Sequence, residues 1–188
     1  MDVPETATEA LRREHDRILE VVDAFEQVVE RAARGEAVWD LVADFIPFFD
    51  LFVGACHHGK EEELLFPRLE GEGLSREEGP LVVMLEEHRR GRSLVAEMAR
   101  VLPAARRGHV GSAAGLAEAA RDYVGLIRRH IDKESPAVFD PADRLVTGPA
   151  CRRLCEAYRS ADERQLDGRT TEDLERLAES LLDRARRR

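Results

Sequence analysis

The stretch ACHHGKEEELLFP (residues 55–67) joins two adjacent histidines and three adjacent glutamates to an apolar Leu-Leu-Phe run. Charge of this density normally lies on a solvated helix face. His57 and Glu61 are four residues apart, so on a helix they project from the same face, one turn apart. A glutamate buried among apolar side chains needs a compensating partner, and metal coordination is one. The stretch therefore predicts a helix with a buried imidazole–carboxylate pair.

The pattern His-x3-Glu-x4-Phe occurs a second time, over residues 130–139. Within the first stretch, His58 and Glu62 are spaced equally well for a helical pair. Only the pair that begins at His57, however, is followed by phenylalanine at the same distance as in the second copy. The pairs selected by this internal repeat are His57–Glu61 and His130–Glu134.

Apolar residues recur at helical spacing in four long segments, and three of these stripes are interrupted by a histidine, at His15, His88 and His130. The stretch TATE (6–9) predicts a capping box for the first helix. Pro47 lies inside the second and is expected to kink it, and the fourth is expected to end near Pro136 or Phe139. Four long helices with short connections predict an all-α fold, an antiparallel up-down-up-down four-helix bundle with additional short C-terminal helices.

The chain is expected to divide near residue 148. Residues 1–148 would form the four-helix bundle. The segments 150–164 and 170–188 have the pattern of two shorter helices, and the second is too polar to form a core alone. We therefore expect residues 149–188 to be a C-terminal helical extension that packs on the bundle or on a partner.

Composition excludes several classes of protein. The chain has 188 residues and a formal net charge of −9, and a negative field repels phosphate backbones, so nucleic acid is not an expected partner. The most apolar stretch, 45–56, is too short to span a bilayer, and no targeting signal is visible. We therefore expect no membrane partner and a cytoplasmic location. Three cysteines, an odd number, argue against a disulfide scaffold.

Imidazole and carboxylate side chains together suit iron, manganese or zinc. A lone His-x3-Glu pair is usually just an exposed helix pair, but here two such pairs occur with two further histidines on apolar stripes. Four histidines and two glutamates are more than one metal ion needs. They suit two ions, each bound by two histidines, with the glutamates shared. The predicted ligands are His15, His57, Glu61, His88, His130 and Glu134.

Four segments together resemble the hemerythrin-like HHE cation-binding family: LRREHDRI (11–18), CHHGKEEELLFP (56–67), MLEEHRRGR (84–92) and HIDKESPAVF (130–139). The resemblance spans residues 11–139. It implies a cofactor of two iron ions, a non-haem di-iron centre with an oxo or hydroxo bridge in the oxidised state. It also implies that the four histidines are terminal ligands and that Glu61 and Glu134 bridge the irons.

The chain departs from the oxygen-carrying members, which place five histidines around the irons, two of them a turn apart on the third helix. Here the positions one turn from His88 hold Met84 and Arg92. The pattern is closer to relatives with four histidines and two glutamates, such as the repair-of-iron-centres proteins and the iron-sensing domain of a ubiquitin-ligase subunit. Candidates for an extra ligand, or for a residue that supports the ligands, are His58, Glu62 and Tyr123.

The predicted function is that of a di-iron protein that binds a small diatomic ligand, oxygen or nitric oxide, or peroxide, for sensing or for oxygen or peroxide chemistry. The alternatives are an iron-handling or iron-responsive regulatory module that acts through its C-terminal helices, and a zinc or purely structural bundle. No nucleophile–base pair, phosphate loop or cofactor motif is present, so enzyme activity stays an open question. A protein partner or a homo-oligomer also stays open.

Overall fold

The computed structural model describes residues 6–164 and 166–187, and within them the chain forms six helices and no β-strand. The predicted all-α class is confirmed for this part of the chain. The six helices are α1 (Glu9–Ala33), α2 (residues 39–71), α3 (Pro80–Arg106), α4 (residues 110–145), α5 (Gly148–Asp162) and α6 (Thr171–Arg186). No helix of the described residues is long and apolar enough to cross a bilayer.

Helices α2 and α4 contain π-helical stretches, at Phe48–His57, Glu61–Leu65 and Ser135–Phe139. Each stretch contains a proline or lies within two residues of one, namely Pro47, Pro67 or Pro136. Proline has no N–H and cannot continue the i→i−4 ladder, and a wider turn lets the helix go on past it. The predicted disturbance at Pro47 therefore takes the form of a π-helix. The predicted end of α4 was wrong, because the helix continues to Leu145.

The predicted capping box at residues 6–9 is also wrong. Helix α1 begins at Glu9, and its N-cap, Thr8, makes no side-chain capping bond. Instead, the backbone N–H and the hydroxyl of Thr8 donate to the two oxygens of Asp143, at 3.0 and 2.9 Å. The start of α1 is thereby held against the end of α4 by a bond between residues far apart in the sequence.

Two apolar clusters form the core, and the predicted metal ligands lie between them on every long helix. The first cluster includes Ile18, Val53, Leu94 and Ile127, and the second includes Leu11, Leu65, Met84 and Val138. On α1, for example, His15 separates Leu11 from Ile18. The polar site is therefore enclosed by apolar packing from both ends.

Both C-terminal helices pack on the other four within the described residues. Helix α5 contributes Leu154 and Tyr158 to the second apolar cluster, and α6 contributes Leu174 and Leu181 to the first. An ion pair between Arg17 and Glu175, at 2.9 Å, joins α1 to α6. The division of the chain into residues 1–148 and 149–188 stays a prediction.

Candidate metal centre

Seven buried side chains form two groups that have Glu61 in common. In each group the facing nitrogen and oxygen atoms all lie within 4.8 Å of one another. The two-histidine group consists of His15, His57, Glu61 and Glu134, and the three-histidine group of His58, Glu61, His88 and His130. The structure thus brings together all six ligands predicted from the sequence, and it adds His58.

The two glutamates reach from one group to the other. One oxygen of Glu61 lies 3.2 Å from Nε2 of His57, and the other lies 3.3 Å from Nε2 of His88. Oε2 of Glu134 lies 3.2 Å from Nε2 of His15 and 3.6 Å from Nε2 of His130. A carboxylate that approaches two sets of imidazoles at once has the placement that a bridging ligand requires.

Three of the imidazole rings are held by carboxylates on their outer side. Nδ1 of His57 lies 2.8 Å from Glu14. Nδ1 of His88 lies 2.8 Å from Glu62, and Nδ1 of His130 lies 3.1 Å from Glu87. An ionised carboxylate only accepts, so each Nδ1 carries a hydrogen, and whenever the ring is neutral the lone pair of its Nε2 is directed inward. This is the tautomer that binds a metal through Nε2.

Apart from the Nε2 atoms of His88 and His130, which lie 3.3 Å apart, most inward atoms do not satisfy one another by hydrogen bonding. Both oxygens of Glu61 and of Glu134, and Nε2 of His15 and His57, are buried and have no hydrogen-bond partner among the described residues. Their distances of 3.2 to 3.6 Å therefore reflect atoms that converge without the alignment of a hydrogen bond. Burying carboxylates in this way is costly unless a cation compensates them. The donor set fits metal ions of the iron, manganese and zinc kind.

A comparison with known families agrees with this geometry. The model of the hemerythrin HHE cation binding domain matches residues 6–140. The chain belongs to this family. The resemblance seen in the sequence is thereby confirmed, and membership indicates that the domain binds a cation. All seven residues of the two groups lie inside the matched range, whereas α5 and α6 lie beyond it. No curated protein and no solved structure gives a match to the chain.

The two imidazoles of the two-histidine group in this HHE domain have pKa values shifted in opposite directions. Burial lowers the pKa of His15 to about 4, so that ring is neutral at pH 7. Burial acts in the same direction on His57, but the charge of Glu61 and the hydrogen bond to Glu14 outweigh it and raise the pKa to about 10. The buried carboxylates are thus strong enough to hold a cationic partner inside the protein.

The three extra candidates from the sequence have different surroundings. His58 lies in the three-histidine group, with its ring stacked on His88 at 3.8 Å between centroids. Glu62 belongs to neither group but accepts from His88 and, at 2.9 Å, from Arg92. Tyr123 also lies outside both groups. It lines a cavity of about 10 Å³ together with His58 and Gly91, which is about the room that one water molecule needs.

Sequence reasoning missed Glu14 and Glu87, although a signal for them was present. Each glutamate directly precedes a ligand histidine, in the Glu-His dipeptides at 14–15 and 87–88. Each supports a histidine of a different helix, since Glu14 accepts from His57 and Glu87 from His130. The repeated dipeptide was therefore as informative as the His-x3-Glu repeat.

A buried lysine extends the network to the C-terminal helices. The Lys60 ammonium donates to Glu14 and, at 2.7 Å, to Asp162 at the end of α5. Burial would lower the pKa of Lys60, but the carboxylate of Glu14 reverses the effect and raises it. Burial would likewise raise the pKa of Glu14, but His57 and Lys60 lower it. A continuous chain of charged side chains therefore runs from His57 to Asp162.

Proposed function

We propose that this HHE protein binds two iron ions, one in each group, and that Glu61 and Glu134 bridge them. The observation that carries the proposal is the placement of these two buried glutamates, each of which approaches histidines of both groups. The further proposal that α1–α4 form an antiparallel up-down-up-down bundle accounts for this placement, because each of the four helices then supplies a ligand at the same level.

We further propose that the site binds a small ligand, such as oxygen, nitric oxide or peroxide. The support is the unequal number of imidazoles, two in one group and three in the other. The ion with two histidines has one nitrogen ligand fewer, so a coordination position remains for a molecule from outside. When bound, the iron pair supplies redox-active centres at which such a molecule exchanges electrons.

The residues of the chain prepare the site for this task. Glu14, Glu62 and Glu87 hold three imidazoles in the metal-binding tautomer. Phe139 stacks on His15 with ring centroids 4.9 Å apart and helps to exclude bulk water from the two-histidine group. The ligands are thus oriented beforehand in an apolar enclosure.

The experiment that tests the function combines metal analysis with anomalous scattering at the iron edge. The full chain, purified without added metal and also after anaerobic loading with ferrous iron, is expected to hold about two irons at residues 57, 61, 130 and 134. Its optical spectrum is expected to change on exposure to oxygen or nitric oxide. A chain that holds zinc in preference to iron, or whose iron responds to neither gas nor to peroxide, contradicts the proposal.

A second function, iron-responsive regulation through the C-terminal helices, is supported by the bonds that join Asp162 to Lys60, Lys60 to Glu14 and Glu14 to His57. Metal binding that fixes His57 stabilises this chain of contacts and with it the packing of α5. Iron-loaded protein is then expected to resist proteolysis across residues 150–187 more than the apo form does. The difference should shrink in Asp162→Asn and persist in the exposed control Glu163→Gln. Equal resistance of apo and loaded wild type eliminates this function.

A further inference from the structure

Tyr158 on α5 is a buried polar side chain that the HHE match, over residues 6–140, does not include. Its exposed fraction is 2%, and its hydroxyl has no hydrogen-bond partner among the described residues. A buried hydroxyl without a partner is unfavourable. The side chain therefore calls for an explanation in terms of something that the hydroxyl binds.

The position of α5 places Tyr158 beside the part of α2 that carries Glu61, the residue common to both groups. The helix packs against residues 61–65 of α2. Asp162, one turn after Tyr158 on the same face, accepts from Lys60, the neighbour of Glu61 in the sequence. The Tyr158 ring is thus presented to the site by a helix of the C-terminal extension.

The apolar cluster that contains the ring reaches the two-histidine group through His15. Tyr158 belongs to the second apolar cluster, together with Leu11 and Phe139. Leu11 lies one turn before His15 on α1, and Phe139 stacks directly on the His15 ring. His15 is a member of the two-histidine group and not of the three-histidine group. The charges of Glu61 and of Glu14, the partner of His57, also act on the Tyr158 phenol. We therefore assign the hydroxyl to the two-histidine group.

The phenol is suited to donate and not to ionise. Burial raises the pKa of Tyr158 well above its ordinary value, and the nearby charge of Glu61 raises it further. A neutral phenol has one O–H to donate, and its ring otherwise contacts apolar side chains. A small anion at the vacant position of the two-histidine ion would supply the missing acceptor.

We propose that the Tyr158 hydroxyl donates a hydrogen bond to a small anionic ligand held at the two-histidine metal ion, so that the C-terminal extension completes the binding pocket of the HHE domain. The inference rests on the proposed function, because it requires iron in that group. It assigns a ligand-binding role to a residue outside the matched family range. Asp162 and Lys60, which fix the end of α5, are positioning residues for this hydroxyl.

Azide is the probe for the test, added to the iron-loaded, oxidised full chain. Tyr158→Phe removes only the hydroxyl, and we expect it to keep its iron content and melting temperature while azide affinity falls about 10- to 100-fold. The matched control is Tyr123→Phe, which removes a second hydroxyl that is buried without a partner among the described residues and that lies outside both groups. Its azide affinity is expected to stay within about twofold of wild type.

A vibrational measurement on the unmutated protein gives an independent readout. If the phenol donates to azide, exchange into deuterated water shifts the azide stretching frequency in wild type, and the shift is absent in Tyr158→Phe. Three outcomes overturn the inference while leaving the di-iron proposal intact. They are an unchanged azide affinity in Tyr158→Phe, a larger loss of azide affinity in Tyr123→Phe, and a tyrosinate-to-iron band that disappears in Tyr158→Phe. Wild type that binds no iron overturns both.

Discussion

The Nε2 atoms of His88 and His130 lie 3.3 Å apart, although the Nδ1 atom of each ring is directed at a carboxylate. With a hydrogen on each Nδ1, the two Nε2 atoms repel through their lone pairs unless one of them is protonated and donates to the other. A cation between the nitrogens turns this repulsion into coordination. The relationship makes stability depend on metal, and this dependence is measurable.

Loading the apo protein with iron is expected to raise its melting temperature. At a free metal concentration about 1,000 times the dissociation constant, binding adds about 4 kcal/mol, or on the order of 10 °C for a chain of this size. His88→Gln removes one of the two facing nitrogens and should lose much of this gain and part of the iron. His109→Gln, at the exposed histidine outside both groups, should retain both. Calorimetry of the apo and iron-loaded forms measures the rise in melting temperature of each variant. An equal rise in His88→Gln and His109→Gln contradicts the assignment of His88 as a ligand.

Glu87→Gln is expected to weaken iron binding without removing any ligand. Because of its hydrogen bond from His130, the pKa of Glu87 is lowered to about 2, so the carboxylate is ionised at all working pH values. Its charge increases the basicity of the His130 ring, and loss of such support typically costs about 10- to 100-fold in metal affinity. Glu86→Gln, next to it on the exposed face, is the control and should change affinity less than about twofold. Competition with a chelator of known affinity measures the iron affinity of both variants. Equal affinities would mean that Glu87 does not support a metal ligand.

Helical periodicity was sufficient to predict the four long helices, because each buries an apolar stripe that repeats at the helical period. Local rules failed at the ends of two helices. Pro136 should have ended α4, but the π-helical turn at Ser135–Phe139 carries the helix on. Thr8 and Asp143 are 135 residues apart in the sequence, so no local pattern reveals that Asp143 takes the place of a capping box.

The site was predictable to the extent that its residues repeat. The His-x3-Glu pairs occur twice and identify four ligands, but His58 occurs only once. Adjacent residues on an α-helix point about 100° apart, so the sequence offered His58 only as a candidate for an extra ligand or a supporting residue beside His57. The π-helical turn that ends at His57 changes this register, and the two rings, with centroids 5.6 Å apart, join different groups.

Cys56 is expected to react slowly with thiol reagents in the folded protein. Burial raises the pKa of its thiol from 9.0 to about 11, so the reactive thiolate at pH 8 is about 100-fold scarcer than in the unfolded chain. A variant with Cys151→Ala and Cys155→Ala leaves Cys56 as the sole cysteine, and its rate of alkylation in buffer and in urea gives the comparison. Similar rates in the two solvents would mean that Cys56 is not buried against α5 and α6.

The same pKa predicts how stability changes at alkaline pH. Since the folded-state pKa of Cys56 lies above the unfolded value, the unfolded chain loses this proton first. The free energy of unfolding therefore falls as the pH rises from 9 towards 11, and below pH 9 Cys56 adds no pH dependence. In Cys56→Ala this contribution to the pH dependence of the free energy of unfolding is absent. Urea unfolding of both proteins at pH 8, 9 and 10 shows the difference, and parallel curves contradict it.

Lys60→Met is expected to destabilise the protein strongly, because the side chain is 1% exposed and its ammonium is bound by two carboxylates. Methionine fills a similar volume but leaves Glu14 as a buried charge with one partner fewer, and breaking a buried pair in this way costs about 3–5 kcal/mol. Asp162→Asn changes the more exposed end of the same network, where an ion pair is worth less, about 1 kcal/mol or below.

The double variant Glu14→Gln with Lys60→Met tests the pairing itself. With the carboxylate neutralised, the loss of the ammonium no longer leaves a buried charge uncompensated. The double variant should therefore be destabilised by less than the sum of the two single changes, with an interaction energy of about 1–3 kcal/mol. Urea unfolding of the apo forms measures all four proteins without interference from bound metal. Strict additivity would mean that Lys60 stabilises the fold through its apolar stem and not through Glu14, and that the link from His57 to the C-terminal helices carries no energy.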